Sequence, residues 1–237
     1  QADQKDFQLY SSGVFTGEVY ADTITIGGTG ATAVATTGDF NNNVAFTTLN
    51  ITAGTSDSLN DDEHATATVS GNLTGTTIAL IDAADDGTST LNLDSLTAAQ
   101  TISAAITASE DGLGNVTVSN TGGTVTFSET IGSHSTDLSV GAVALAASTT
   151  TVFEKAVDAA TLSASGAMTI KAPVTLSSTL TTGVGSTITL GSAFVDGGST
   201  AITAADSDTT LNATANTVTV NMSNQFTTGT VTLFENT

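Results

Sequence analysis

Apolar and polar positions alternate with period two along nearly the whole chain. Thr23-Ile24-Thr25-Ile26, Thr48-Leu49-Asn50-Ile51, Thr90-Leu91-Asn92-Leu93 and Asn115-Val116-Thr117-Val118 carry the pattern in the first half. Thr124-Val125-Thr126-Phe127, Ala167-Met168-Thr169-Ile170, Thr187-Ile188-Thr189-Leu190 and Thr217-Val218-Thr219-Val220 repeat it in the second. On a strand this spacing puts aliphatics on one face and hydroxyls on the other. It predicts inward-facing Ile24, Ile26, Leu91, Leu93, Val116, Val118, Val125, Phe127, Met168, Ile170, Ile188, Leu190, Val218 and Val220. Gly, Asn, Asp and Ser separate the runs, as turns require. Two stretches carry a competing helical reading. Residues 94–112 have Leu96, Ala99, Ile102 and Ile106 at helical spacing, but the strand reading is preferred because strand patterns surround them. Residues 154–160 also admit a short helical turn.

The strand pattern also repeats at longer range. Val125-Thr126-Phe127-Ser128-Glu129 aligns with Thr151-Val152-Phe153-Glu154-Lys155. Each is followed by a Leu-Ser step, Leu138-Ser139 and Leu162-Ser163. An alternating strand then follows, Gly141 to Leu145 in one copy and Gly166 to Ile170 in the other. A looser copy runs from Val174-Thr175-Leu176 to Leu190. A drifting period of about 20 to 30 residues is the range of solenoid coils. The predicted fold is therefore all-β, a parallel β-solenoid of short strands. Its coils would stack about 4.8 Å apart and depend on their neighbours for stability. One or two antiparallel β-sandwich domains also use short strands with frequent turns. Residues 31–110 repeat less clearly, and there both folds stay open. Residues 1–30 are expected to form an N-terminal strand segment that reaches between subunits. Residues 31–237 are expected to form the solenoid body.

Composition narrows the core. The 237 residues include no Trp and no Cys, and aromatics are 5% of the chain. Ser and Thr make up roughly a third, far above ordinary usage. The interior must therefore be built from thin aliphatic ladders. The single proline, Pro173, leaves almost every backbone N–H free for a ladder. Charge narrows the partners. Asp and Glu number 23 against 3 basic residues, for a formal net charge of −20. Nucleic-acid phosphates and anionic membranes need Lys and Arg contacts, so neither is an expected partner. No run of about 18 apolar residues occurs, so membrane insertion is not expected. The start, Gln1-Ala2-Asp3-Gln4, lacks the pattern of an export signal and reads as a mature end.

Asn120-Thr121-Gly122-Gly123-Thr124-Val125-Thr126-Phe127 and Gly166-Ala167-Met168-Thr169-Ile170 resemble the repeats of large bacterial surface proteins. These are the filamentous-haemagglutinin-like and autotransporter-passenger-like β-solenoids, including surface-layer proteins. The resemblance covers residues 113–233. It implies export, a parallel β-solenoid, and a role in adhesion or assembly.

Little in the chain points to catalysis. Ser133-His134-Ser135-Thr136-Asp137 holds the residue types of a hydrolase triad, but triad members come from separate elements. Neither His64 nor His134 has a second ligand at zinc spacing. Carboxylates at Asp82, Asp85 and Asp86, or at Asp206 and Asp208, lack the aromatic and basic groups that accompany them in glycosidases. Gly27-Gly28-Thr29-Gly30 opens no helix, so it reads as a turn. The chain is not expected to be an enzyme. Hard oxygen ligands cluster at Asp61, Asp62 and Glu63 and at Asp82, Asp85 and Asp86, making calcium the one candidate cofactor.

These readings converge on a structural subunit of an extracellular, self-assembling cell-surface layer or filament, with further copies of itself as partners. Stacked coils end in open strand edges that recruit another chain. The candidate assembly interface is Phe7, Leu9, Phe15, Val19 and Tyr20, unless these residues only form an ordinary first strand pair. The rival function is an adhesin segment that binds surface glycan or a host protein.

Overall fold

A computed structural model describes residues 5–28, 35–54, 64–82, 87–133, 136, 138–172, 174–182, 187–190, 202–204 and 219–222. The chain opens with β1 (Phe7–Leu9), β2 (Gly13–Phe15) and β3 (Val19–Gly27). Next come β4 (Thr36–Phe40), β5 (Val44–Thr52), β6 (Ala65–Val69), β7 (Leu73–Ile81), β8 (Ser89–Leu93) and β9 (Gln100–Ala108). Then follow β10 (Leu113–Val118), β11 (Thr124–Phe127), β12 (Val140–Leu145), β13 (Thr150–Phe153), β14 (Val157–Ala164) and β15 (Ala167–Ile170). The last described strands are β16 (Val174–Thr182), β17 (Thr187–Leu190), β18 (Ile202–Ala204) and β19 (Thr219–Met222).

Odd-numbered strands stack in order into one sheet and even-numbered strands into a second. Every pairing between named strands is parallel, as in Ile24 opposite Leu49 and Leu91 opposite Val116. One even and one odd strand make each turn of the chain, so the fold is a parallel β-solenoid. The same pairing runs through β4 to β9, so the antiparallel sandwich left open for residues 31–110 does not apply. Coil length varies. Register-related residues lie 17 apart at Glu154 and Lys171, 25 apart at Thr25 and Asn50, and 29 apart at Asn43 and Asn72.

Period two decides which side chains enter the core. Ile24, Leu49, Ile78 and Ile106 stack into one buried ladder. Ala67, Leu91, Val116, Val143 and Leu162 stack into another. One continuous buried cluster runs from Ala21 to Leu176. Every predicted inward residue from Ile24 to Ile170 is buried in it. The side chains of Ile188, Leu190, Val218 and Val220 lie outside the described residues.

The preferred strand reading of residues 94–112 holds at β9, where Ile102 and Ile106 continue the ladders that run through Leu73 and Ile78. Two other local expectations change. The turn admitted at residues 154–160 is extended from Val157 onward, where Val157 and Ala159 pair with Val174 and Leu176. The internal repeat is correct at its first step and at the strand of its looser copy, where Ile188 and Leu190 pair with Met168 and Ile170. Val125 does face Thr151, and Phe127 faces Phe153. Leu162, however, pairs with Val143 rather than Leu138, and residues 141–145 and 166–170 sit in different sheets. The two sheets share one alternation, so sequence similarity alone crosses between them.

Candidate functional site

The five candidate interface residues lie in β1, in β2 and at the start of β3. Phe7 and Leu9 belong to β1, which runs parallel to β3 with Phe7 opposite Ile24 and Leu9 opposite Ile26. Phe15 ends β2 opposite Phe40. Its ring stacks on Phe40 at 5.0 Å and meets Phe7 edge-on at 5.1 Å. Phe7, Leu9, Phe15 and Val19 are half-buried and packed against the core. They form an apolar lid over Ile24, Ile26 and Phe40. Tyr20 points outward, as do Tyr10 and Val14 of the same region. Among the described strands, β1 and β2 end their sheets, each with a partner on one side.

Tyr20 Oη donates to Glu18 Oε2 at 2.5 Å, and Asn43 Nδ2 donates to Glu18 Oε1 at 3.2 Å. These donors hold the Glu18 carboxyl below its ordinary value, the phenol contributing most. The carboxylate in turn raises the Tyr20 phenol.

Of the acidic candidates, Asp82 alone lies within the described residues. Asp61, Asp62, Glu63, Asp85 and Asp86 lie outside them, as do His134 and Asp137. Asp82 is buried. Its Oδ1 accepts from Ser89 N at 2.6 Å, and its Oδ2 accepts from Gly114 N at 2.8 Å. Ser89 and Gly114 immediately precede the paired residues Thr90 and Asn115. One carboxylate thus satisfies two backbone donors on adjacent coils, which offsets the cost of burying it. Among the described residues, no group of three or more His, Cys, Asp or Glu side chains comes together. Nor is any helix among them long and apolar enough to cross a membrane. His64 Nδ1 accepts from Thr88 N at 3.1 Å, a turn contact.

Sequence reasoning missed a polar corner. Residues 41–43, 70–72, 94–99 and 119–123 each lead from an even strand into the next odd one. Asn72 N donates to Asn43 Oδ1 at 3.0 Å, and Thr101 N donates to Asn72 Oδ1 at 2.8 Å. Gln100 is buried and donates to Val69 O and Gly71 O at 2.7 and 2.9 Å. Asn120 Nδ2 donates to Gln100 Oε1 at 2.7 Å. The signal in the sequence was an Asn immediately before Val44 and again before Leu73.

No protein-family model matches the chain, and neither a curated protein nor a solved structure does. The solenoid fold rests on the sheet topology.

Proposed function

We propose that this chain is a non-catalytic structural subunit of an extracellular cell-surface layer or filament, joined to the next copy through its N-terminal coil. One observation carries the reading: among the described strands, β1 and β2 stand at one end of each sheet with a partner on one side only, next to the exposed Tyr10, Val14 and Tyr20. Open edges supply unpaired backbone groups, and exposed apolar side chains gain from being covered. Apart from these three, Leu96 is the only exposed large hydrophobic among the described residues. The acidic surface favours an assembly sensitive to salt and to divalent cations, with calcium the expected ion.

Sedimentation velocity and electron microscopy of the full chain test this reading. Phe7, Leu9 and Phe15 cover the core, so removing them would expose it. The outward residues are the cleaner targets. The double variant Val14→Asp, Tyr20→Asp should remain folded and lose assembly, because it buries charge in the joint. An intact chain that stays monomeric at high concentration, with and without calcium, overturns the proposal.

A further inference from the structure

The polar corner contains a step. Residues 41–43 and 70–72 are short, close-stacked corners, the corner at 94–99 is longer, and all three line one groove. Close stacking at the short corners needs glycine: a Cβ on Gly71 would sit 2.3 Å from Asn42 C. Beyond the long corner, a Cβ on Gly122 would sit 2.2 Å from Thr97 N, so the next coil backs the strap. The strap is also pinned from within. Ser95 Oγ accepts from Ala98 N at 3.1 Å, Ser95 O accepts from Gly122 N at 3.1 Å, and Asn120 Nδ2 donates to Ala98 O at 3.0 Å. Between strap and floor lies a groove of about 560 Å³, large enough for one or two sugar rings.

The groove is furnished with groups that pair with hydroxyls. Asn41, Asn42 and Asn72 line it, and among the described residues the Asn41 side chain and the Nδ2 groups of Asn42 and Asn72 make no hydrogen bond. Asp94 accepts from Ser70 Oγ at 2.8 Å through Oδ1, leaving Oδ2 open. Leu96, 76% exposed, offers an aliphatic patch at the rim. Amides that donate and accept, a carboxylate that accepts twice, and a small apolar surface suit a neutral polyol with one C–H face.

Other ligand classes fit poorly. No Lys, Arg or His lines the groove, and Asp94 does, so an anion is repelled. An extended peptide needs an open backbone edge, but these corners spend theirs between coils. Asn41 N donates to Phe15 O, Ser70 N to Phe40 O, Val44 N to Asn72 O and Asp94 N to Val69 O. One carboxylate is too few for a calcium shell.

We infer that the groove beneath the 94–99 strap is a binding subsite for a neutral sugar unit of a glycan, held by Asp94 and the amides of Asn41, Asn42 and Asn72 against Leu96. The site is argued from its own groups and not from the assembly reading, although its floor borders the N-terminal strands: Asn41 N donates to Phe15 O and Asn43 Nδ2 donates to Glu18 Oε1.

The test is a side-chain amide NMR titration of the full chain with methyl glycosides of glucose, mannose, galactose and N-acetylglucosamine. At least one should bind in the millimolar range and shift the Asn41, Asn42 and Asn72 amide signals. Asp94→Ala should weaken that affinity by about tenfold or more, through loss of a charged acceptor. Leu96→Ser changes an exposed side chain, keeps the fold, and should weaken it severalfold. Three outcomes overturn the inference: no shift at these amides with any of the four sugars, binding unchanged in both folded variants, or shifts produced by an extended peptide and not by sugar.

Discussion

Phe127 and Phe153 occupy the same position on successive coils, their rings stacked at 5.4 Å and 16° between planes. Both are buried, with Ile170 next in the same column. In a core of small aliphatics this pair fills volume that no neighbour can replace. Phe153→Ala should therefore cost about 3–5 kcal/mol, the range for emptying a buried aromatic site. A double-mutant cycle with Phe127→Leu should return a coupling of about 0.5–1.5 kcal/mol. Urea unfolding measures both, and additive single effects would mean the rings do not stabilise one another.

Asp82 holds the starts of β8 and β10 through two backbone N–H groups. Asp82→Ala leaves both donors without this acceptor and should destabilise by about 2–4 kcal/mol. Asp82→Asn keeps one acceptor and should cost less. Thermal unfolding of the three proteins gives the order. Adding calcium separates this role from a metal role. A ligand carboxylate would make the wild-type midpoint rise with calcium and the Asn variant's rise less.

Asp111 accepts from Ser139 Oγ at 2.7 Å and Ser139 N at 3.0 Å, across one coil. The hydroxyl first, and the backbone N–H second, hold its carboxyl below the ordinary carboxylate value. A pKa lowered by folding adds stability that is fully present above the unfolded value and is lost as pH falls through the folded one. Stability should fall as pH drops through and below the ordinary carboxylate range, and Asp111→Asn should flatten part of that slope. Identical slopes for the two proteins would show that Ser139 contributes nothing to acid sensitivity.

The sequence by itself determined the all-β class, the inward faces from Ile24 to Ile170 and the stacking of Val125 over Thr151. These follow from alternation, a local property: once a residue is on a strand, period two assigns its face. Coil-to-coil register is not local. The segments beginning at Gly141 and Gly166 look alike because both sheets need the same pattern, yet they pair with different strands. Only the tertiary structure decided this, because coils of unequal length leave partner choice to the corners and to backbone bonds between them. The same holds for the buried polar groups. Nothing in one dimension marks Asp82, Gln100 and Asn120 as buried. They are buried because stacked corners bring each within reach of backbone or amide partners that lie far away in the chain. The groove under residues 94–99 arises likewise, from a length difference between corners that becomes a step only when coils are stacked.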